Sequence, residues 1–452
     1  MSSKFRQFDR NTLFLMPPSV QDWLPENHLA RFVVETVSQL DLYAFKSAYT
    51  GRGSKPYHPA MLLGLLFYGY ATGVHSSRKI EKATYDSVAF RYMAANTHPD
   101  HDTIASFRKR FLKELKDVFV QILTIANQMG ILQVGKVSLD GTKIKANASK
   151  HSALSWQYAS KLEKQLKDEI DELMRLAEEA DAVELPDGMD IPEELSRRQD
   201  RIAAIAKAKK EIERRASQRY EQEKEAYDKK ISERKAKAKQ TGKKPRGRTP
   251  KQPEPGPNKT DQVNLTDEES RIMPASGKAF EQAYNAQAGV DIETMLIVEK
   301  HITQCPNDKQ ELETTLKGLS SLPKEIGKAD TILSDAGYFS ESNVEACEAE
   351  QVKPYIAVHR DYHNQSLHER FSQPDPVSDD ADPVTKMKYR LHTLEGRKLY
   401  AKRKSTVEPV FGIIKNIMGF RQFLLRGVEA VQGEWDLVCI AWNLKRMHTL
   451  KA

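Results

Sequence analysis

The sequence predicts an α/β protein with a helical amino-terminal region and a long charged helical insertion. Three observations carry this. From residue 264 onward, apolar strand-like runs alternate with amphipathic stretches, which is the pattern of a sheet with interleaved helices rather than of a bundle. Residues 1–130 show helical periodicity with short breaks. Between about Ser160 and Glu233 the chain is rich in Lys, Glu, Arg and Ala and poor in strand formers.

At 452 residues and 39% hydrophobic content, two or three units with at least one sizeable core are expected. The formal charge of +7, with 29% of residues charged, suits a soluble protein that works near a polyanion. Cys305, Cys347 and Cys439 are too far apart for a CxxC metal pair or a disulfide framework, so a reducing compartment fits. No run approaches the roughly 18 apolar residues that span a membrane. A cytoplasmic protein is expected.

In the amino-terminal region, His28–Val34 opens the first clear helix. Pro59 suits the first turn of a helix over Ala60–Ala71, whose apolar face is Leu62, Leu63, Leu66, Phe67 and Tyr70. Gly73 breaks it, and Ser76 and Ser77 cap the next helix, which carries Arg78, Lys79 and Lys82. A third helix, capped by Asp102, is expected from Thr103 toward Met129 with Arg108, Lys109 and Arg110. Cations on consecutive short helices suit phosphate contacts, so 1–130 reads as a helical DNA-binding domain. A small bundle with solvated cations explains the same residues.

Val134–Asp140 reads as a short strand that ends on an acid, and a carboxylate there is costly to bury unless paired or bound to a metal. Residues 151–233 follow as an inserted helical hairpin. Leu162, Leu166, Ile170, Leu173 and Ala177 form one stripe, Ile202, Ile205, Ile212 and Ala216 a second, with a turn at Leu185–Pro192. Residues 234–263, with Lys235, Lys237, Lys239, Lys243, Lys244, Arg246 and Arg248 ahead of a Pro-rich run, are expected to be a basic disordered linker.

Beyond it, Tyr284–Asp291 and Met295–Thr303 suggest a strand hairpin, and Lys309–Leu319 a helix. Thr331–Ser334 gives a second apolar strand that ends on an acid, Asp335. A helix over Glu341–Glu350 and a strand over Pro354–Val358 come next. In the segment Tyr400–Lys415, Val407, Phe411, Ile414 and Met418 recur at helical spacing. Pro409 is tolerable only in a first turn, which places Glu408 at the helix start. By itself Glu408 is explained as an acid stabilised by the helix dipole.

Asp140, Asp335 and Glu408 together are a stronger signal. No Ser-His-Asp arrangement, phosphate-cradling GxxxxGKS/T loop or HExxH pair competes with them. Three converging carboxylates repel one another without a cation, and such hard oxygen donors suit Mg²⁺ or Mn²⁺. Two ions about 3.5–4 Å apart serve phosphodiester chemistry. A basic protein with such a site is a candidate DNA-processing enzyme.

Val137-Ser-Leu-Asp140-Gly-Thr142, Leu333-Ser-Asp335-Ala-Gly-Tyr338 and Tyr400–Lys415, joined to Tyr57–Leu63 and Pro99–Ile104, resemble a bacterial insertion-sequence transposase of the DDE superfamily. The likeness covers most of the chain outside the charged insertion. It implies an RNase H-like catalytic core over 131–150 and 264–452, and two divalent ions held by Asp140, Asp335 and Glu408. It also implies cleavage and strand transfer at the terminal inverted repeats of a mobile element, on double-stranded DNA, with a homodimer pairing two ends. The family's helix signature places a Tyr, an Arg and a Lys around the Glu. Tyr400 and Lys415 match it, but four residues rather than three separate Arg403 from Glu408, so Arg403 and Lys404 compete for the phosphate contact. Two other readings stand beside this one: a metal-dependent nuclease without strand transfer, and a DNA-binding regulator with a structural core. His58, His75, His98 and His101 read as capping or packing residues. Asp267 and Asp291 read as turn and strand-end acids, and Trp435 and Trp442 as core.

Overall fold

The computed structural model describes every residue except 1–18, 50–54, 180–190, 242–246, 248, 276–278, 359–371, 375, 379 and 452. The chain divides into two compact units, residues 1–144 with 284–452, and residues 145–283. Among the described residues no helix is long and apolar enough to cross a membrane.

The first unit is built on a mixed sheet. Its strands are β1 (Val134–Lys145), the part of β5 (Phe280–Asp291) from residue 284, β6 (Ile297–Thr303), β7 (Gly327–Ser334) and β8 (Lys353–Ile356). The order is β5-β1-β7-β8, with β6 on the other side of β5. β1 and β7 are parallel, with Ser138 opposite Leu333, and β8 extends the parallel half. β5 and β6 form the antiparallel half, with Ala286 opposite Ile302. β1 does not end at Asp140, as the sequence suggested, but continues to Lys145. Gly141 makes this possible: a Cβ there would sit against Gln287 Nε2 and 2.5 Å from Asp308 Oδ1.

The helices α1 (Leu29–Ser38), α2 (Tyr43–Ser47), α3 (Pro59–Thr72), α4 (Ser77–Asp86), α5 (Val88–Met93), α6 (His101–Arg110) and α7 (Leu115–Gln128) precede the sheet. Pro59 stands in the first turn of α3, and Gly73 closes that helix in the left-handed conformation. The single helix expected from Thr103 is two. Its cap is Asp100 rather than Asp102, with Asp100 Oδ1 accepting from Thr103 N at 2.7 Å. The break after Arg110 buries Phe111 against Phe45, ring centroids 4.9 Å apart, and buries Leu112 as well.

The helices that precede the sheet group with it in one compact unit, and the last helix takes them as packing partners. That helix, Val428–Lys451, is buried along most of its length. Its Trp435 Nε1 donates to Gln287 O at 3.0 Å, and Asn443 bonds both backbone groups of Ile297. On its other flank Tyr70 donates to Glu434 Oε1 at 2.9 Å and Lys445 to Ala71 O at 3.1 Å. An α-helix with no polar face belongs inside, and α3 has the same character.

In the second unit, β2 (Ala153–Ser155) pairs antiparallel with β3 (Gln262–Asn264), and β4 (Arg271–Pro274) pairs with residues 280–283 of β5. The helices α8 (Trp156–Glu179) and α9 (Ile191–Thr241) pack through Leu162, Leu166, Ile205, Ala208 and Ile212. The ion pairs Glu169–Arg198 and Glu163–Lys209, both 2.8 Å, run in opposite order along them. Most of the expected turn at 185–192 lies outside the described residues. The basic tract from Arg234 starts as helix rather than as a disordered linker, since α9 continues to Thr241. Lys, Ala and Glu are strong helix formers and propagate a helix already nucleated by packing. Residues 242–246 and 248 of that tract lie outside the described residues.

Candidate active site

Asp140 lies on β1, and Asp335 follows directly on β7, its parallel neighbour. Continuing the register of Ser138 with Leu333 sets the two carboxylates side by side at the same level. Asp335 caps the short turn 336–338, with Oδ1 accepting from Gly337 N at 2.8 Å. Burial pushes the Asp140 carboxyl up to about 6 against the hydrogen bond from Gly141 N. The charges of Asp335 and Asp308 add to the rise and Arg403 opposes it.

Glu408 arrives from the first turn of a helix over Val407–Asn416, with Pro409 beside it as the first-turn argument required. Its carboxylate is half exposed. Arg403 joins it to the sheet: Nη1 lies 3.3 Å from Asp140 Oδ2 and Nη2 3.1 Å from Glu408 Oε1. Only 8% of Arg403 is exposed, whereas Lys404 next to it faces solvent. Tyr400 donates to Ser334 O at 3.2 Å, one residue before Asp335. Lys415 donates to Thr142 Oγ1 and to Lys143 O just past Asp140. Burial and then the Lys143 charge hold the Lys415 amine below its usual range.

The structure therefore gathers Asp140, Asp335, Glu408, Tyr400, Arg403 and Lys415 around the end of β7 and the adjoining middle of β1, and leaves Lys404 outside. Arg78, Lys79 and Lys82 are exposed on α4. Arg108 is a correction. It is buried, and its guanidinium donates to the Tyr70 hydroxyl at 2.9 Å and to His75 O at 3.2 Å, so it does not face a phosphate.

Sequence reasoning missed the floor of this site. Asn285 and Gln287 of β5 are fully buried and donate to Asp308 Oδ1, each at 2.6 Å. Tyr338 donates to Gln287 Oε1, and Lys143 Nζ lies 3.5 Å from Asp308 Oδ1. Asn285 and Gln287, two amides at alternate positions in the buried part of the strand from Tyr284, were the available signal. Asp308, in the segment between β6 and a helix over Glu311–Ser320, had none.

Among the described residues no three His, Cys, Asp or Glu are arranged to hold a metal ion, and the Arg403 guanidinium instead lies between Asp140 and Glu408. The donor chemistry still fits a hard divalent cation. It offers carboxylate oxygens and the buried Asn285 Oδ1, which accepts no hydrogen bond.

Residues 18–110 match the family model described as Transposase domain (DUF772), and residues 248–444 the one described as Transposase DDE domain. The first match takes in α1 to α6. The second takes in Asp335, Glu408 and Lys415 and stops short of β1 and Asp140. No curated protein and no solved structure matches the chain.

Proposed function

For a chain that belongs to the insertion-sequence transposases of the DDE superfamily, we propose binding of terminal inverted repeats followed by divalent-metal-dependent strand cleavage and strand transfer. The observation that supports this most is the convergence of Asp140 and Asp335 on neighbouring parallel strands, with Arg403 linking Asp140 to Glu408. Asp140, Asp335 and Glu408 would hold Mg²⁺ or Mn²⁺, two ions by family likeness, which supply Lewis-acid stabilisation of charge on the attacking and leaving oxygens.

The chain's own groups do the rest. The planar fork of Arg403 matches two phosphate oxygens, and its place between two of the acids suits it to orienting the scissile phosphodiester. Tyr400 fixes the end of β7 that carries Asp335, and Lys415 fixes the β1 segment after Asp140. Water attacks a phosphodiester at the end of the element. The freed 3′-hydroxyl then attacks target DNA, with no covalent protein intermediate. Arg78, Lys79 and Lys82, exposed on α4, would contact DNA phosphates, and pairing of two ends calls for two copies of the chain.

The test is to purify Asp140→Asn, Asp335→Asn and Glu408→Gln and to measure end-DNA binding and Mg²⁺-dependent nicking. Each variant is expected to bind DNA and to lose more than the roughly 10- to 100-fold that loss of a supporting contact costs. Any variant that nicks at the wild-type rate removes that residue from the ligand set. Joining of a cut end to a second duplex separates a transposase from a nuclease with the same core.

A further inference from the structure

We infer that Asp308 is a fourth acid of the cation site, standing with Asp140 and Asp335 on the floor made by Asn285 and Gln287. The inference rests on the cation reading above and adds a residue to it.

Asp308 is held between the two strand acids. A Cβ on Gly141, the residue after Asp140, would lie 2.5 Å from Asp308 Oδ1 and 2.9 Å from Asn285 Oδ1. On the other flank, a Cβ on Gly337 would lie 2.9 Å from Asp335 Oδ1 and 3.8 Å from Asp308 Oδ2. The bonds from Asn285 and Gln287 and the approach of Lys143 all fall on Oδ1. Oδ2 takes none of these contacts and lies on the Gly337 side, next to Asp335.

Asn285 supplies an independent sign of a ligand. Its side chain is fully buried, and Nδ2 donates both to Asp308 Oδ1 and to Cys305 O, at 2.6 and 3.1 Å. Those two acceptors fix the amide, because a flipped amide would set its oxygen against two other oxygens. Oδ1 is therefore a buried acceptor with no donor. Such a group is costly unless something else meets it, and here it faces Gly141, the residue after Asp140, in company with Asp308 Oδ1 and Gln287 Nε2. A divalent cation, or water on one, supplies what that oxygen lacks. The ordinary explanation, that Asp308 only clamps two amides of β5, accounts for Oδ1 but leaves Asn285 Oδ1 and Asp308 Oδ2 without a role.

Charge and hydrogen bonding can be separated by substitution. Asp308→Asn keeps an oxygen for the Asn285 and Gln287 N–H groups and removes the negative charge; Asp308→Ala removes both. The measurement is Mn²⁺ affinity of the full chain without DNA, by electron paramagnetic resonance, alongside the melting temperature in metal-free buffer. Asp308→Asn is expected to melt like the wild type and to bind Mn²⁺ roughly 10-fold or more weakly, as Asp140→Asn does. Should Asp308→Asn not fold, Asp308→Ser carries the same comparison. Wild-type Mn²⁺ affinity in the Asp308 variant, with weakened binding in Asp140→Asn, overturns the inference and leaves the cation reading standing. Wild-type affinity in both variants sinks the cation reading together with it.

Discussion

Arg403 and Lys404 show what one extra residue does at a site. Counted along a helix, the spacing to Glu408 favours Lys404. Yet residues 402–406 form a turn between a helix over Leu394–Ala401 and the Glu408 helix, so helical counting does not apply across them. The turn absorbs the extra residue and points Arg403 inward, leaving Lys404 in solvent. Arg403→Ala is therefore expected to slow Mg²⁺-dependent nicking by roughly 10- to 100-fold with end-DNA binding little changed. Lys404→Ala should keep the nicking rate and reduce the salt dependence of DNA binding by about one unit of slope at most. A larger rate loss in Lys404→Ala than in Arg403→Ala would reverse this assignment. The places of Asp140, Asp335 and Glu408 in the fold were legible because each follows an apolar run or opens a helix. Asp308 was not, since a loop carboxylate has neither period nor cap to mark it, and only the amides of β5 reveal its place.

At the scale of elements, periodicity served where one face is buried and failed where context decides. The apolar stripes of α8 and α9 were readable because they repeat at helical spacing. The far end of α9 was not, because a basic stretch without an apolar face looks like a solvated linker. It is held in part by its neighbours: Arg234 Nη2 donates to Gly247 O at 3.2 Å, and further back Arg219 pairs with Asp261 at 2.9 Å and reaches Gly256 O. β1 ran on past Asp140 for a related reason, since Gly141 removes the side chain that the packing of Gln287 and Asp308 would exclude. Within the second unit the core between α8 and α9 carries the stability. Ile212 is 1% exposed there, while Ile202 lies at its margin. Ile212→Ala should cost about 2–5 kcal/mol and speed amide exchange along both helices, with a smaller effect from Ile202→Ala. Equal exchange in the two variants would show that this cluster does not hold the pair together.

For the whole molecule, the consequential misreading was Arg108. Three cations in a row at the end of α6 looked like a surface, but Ile104 and Arg108 are four apart and so share the buried face. There Arg108 donates to Tyr70, Tyr70 donates to Glu434 Oε1, and Glu434 Oε2 accepts from Leu424 N and Leu425 N. This chain ties α3 and α6 to the last helix, which is why the amino-terminal helices and the sheet are one unit. Burial holds the Glu434 carboxyl above its ordinary value, and the Arg108 charge pulls it back down. Removing Arg108 raises it further. A buried acid whose folded value exceeds its unfolded one loses stability as pH climbs from the unfolded value, near 4.5, through the folded one. Arg108→Met should therefore cost on the order of 3 kcal/mol at pH 7 and clearly less near pH 4.5. Glu434→Gln in the same background should recover most of the loss and flatten its pH dependence. Urea unfolding at the two pH values measures this. The first unit should unfold in one transition throughout, and an early transition of the amino-terminal helices alone, or equal losses at both pH values, would contradict the role assigned to this network.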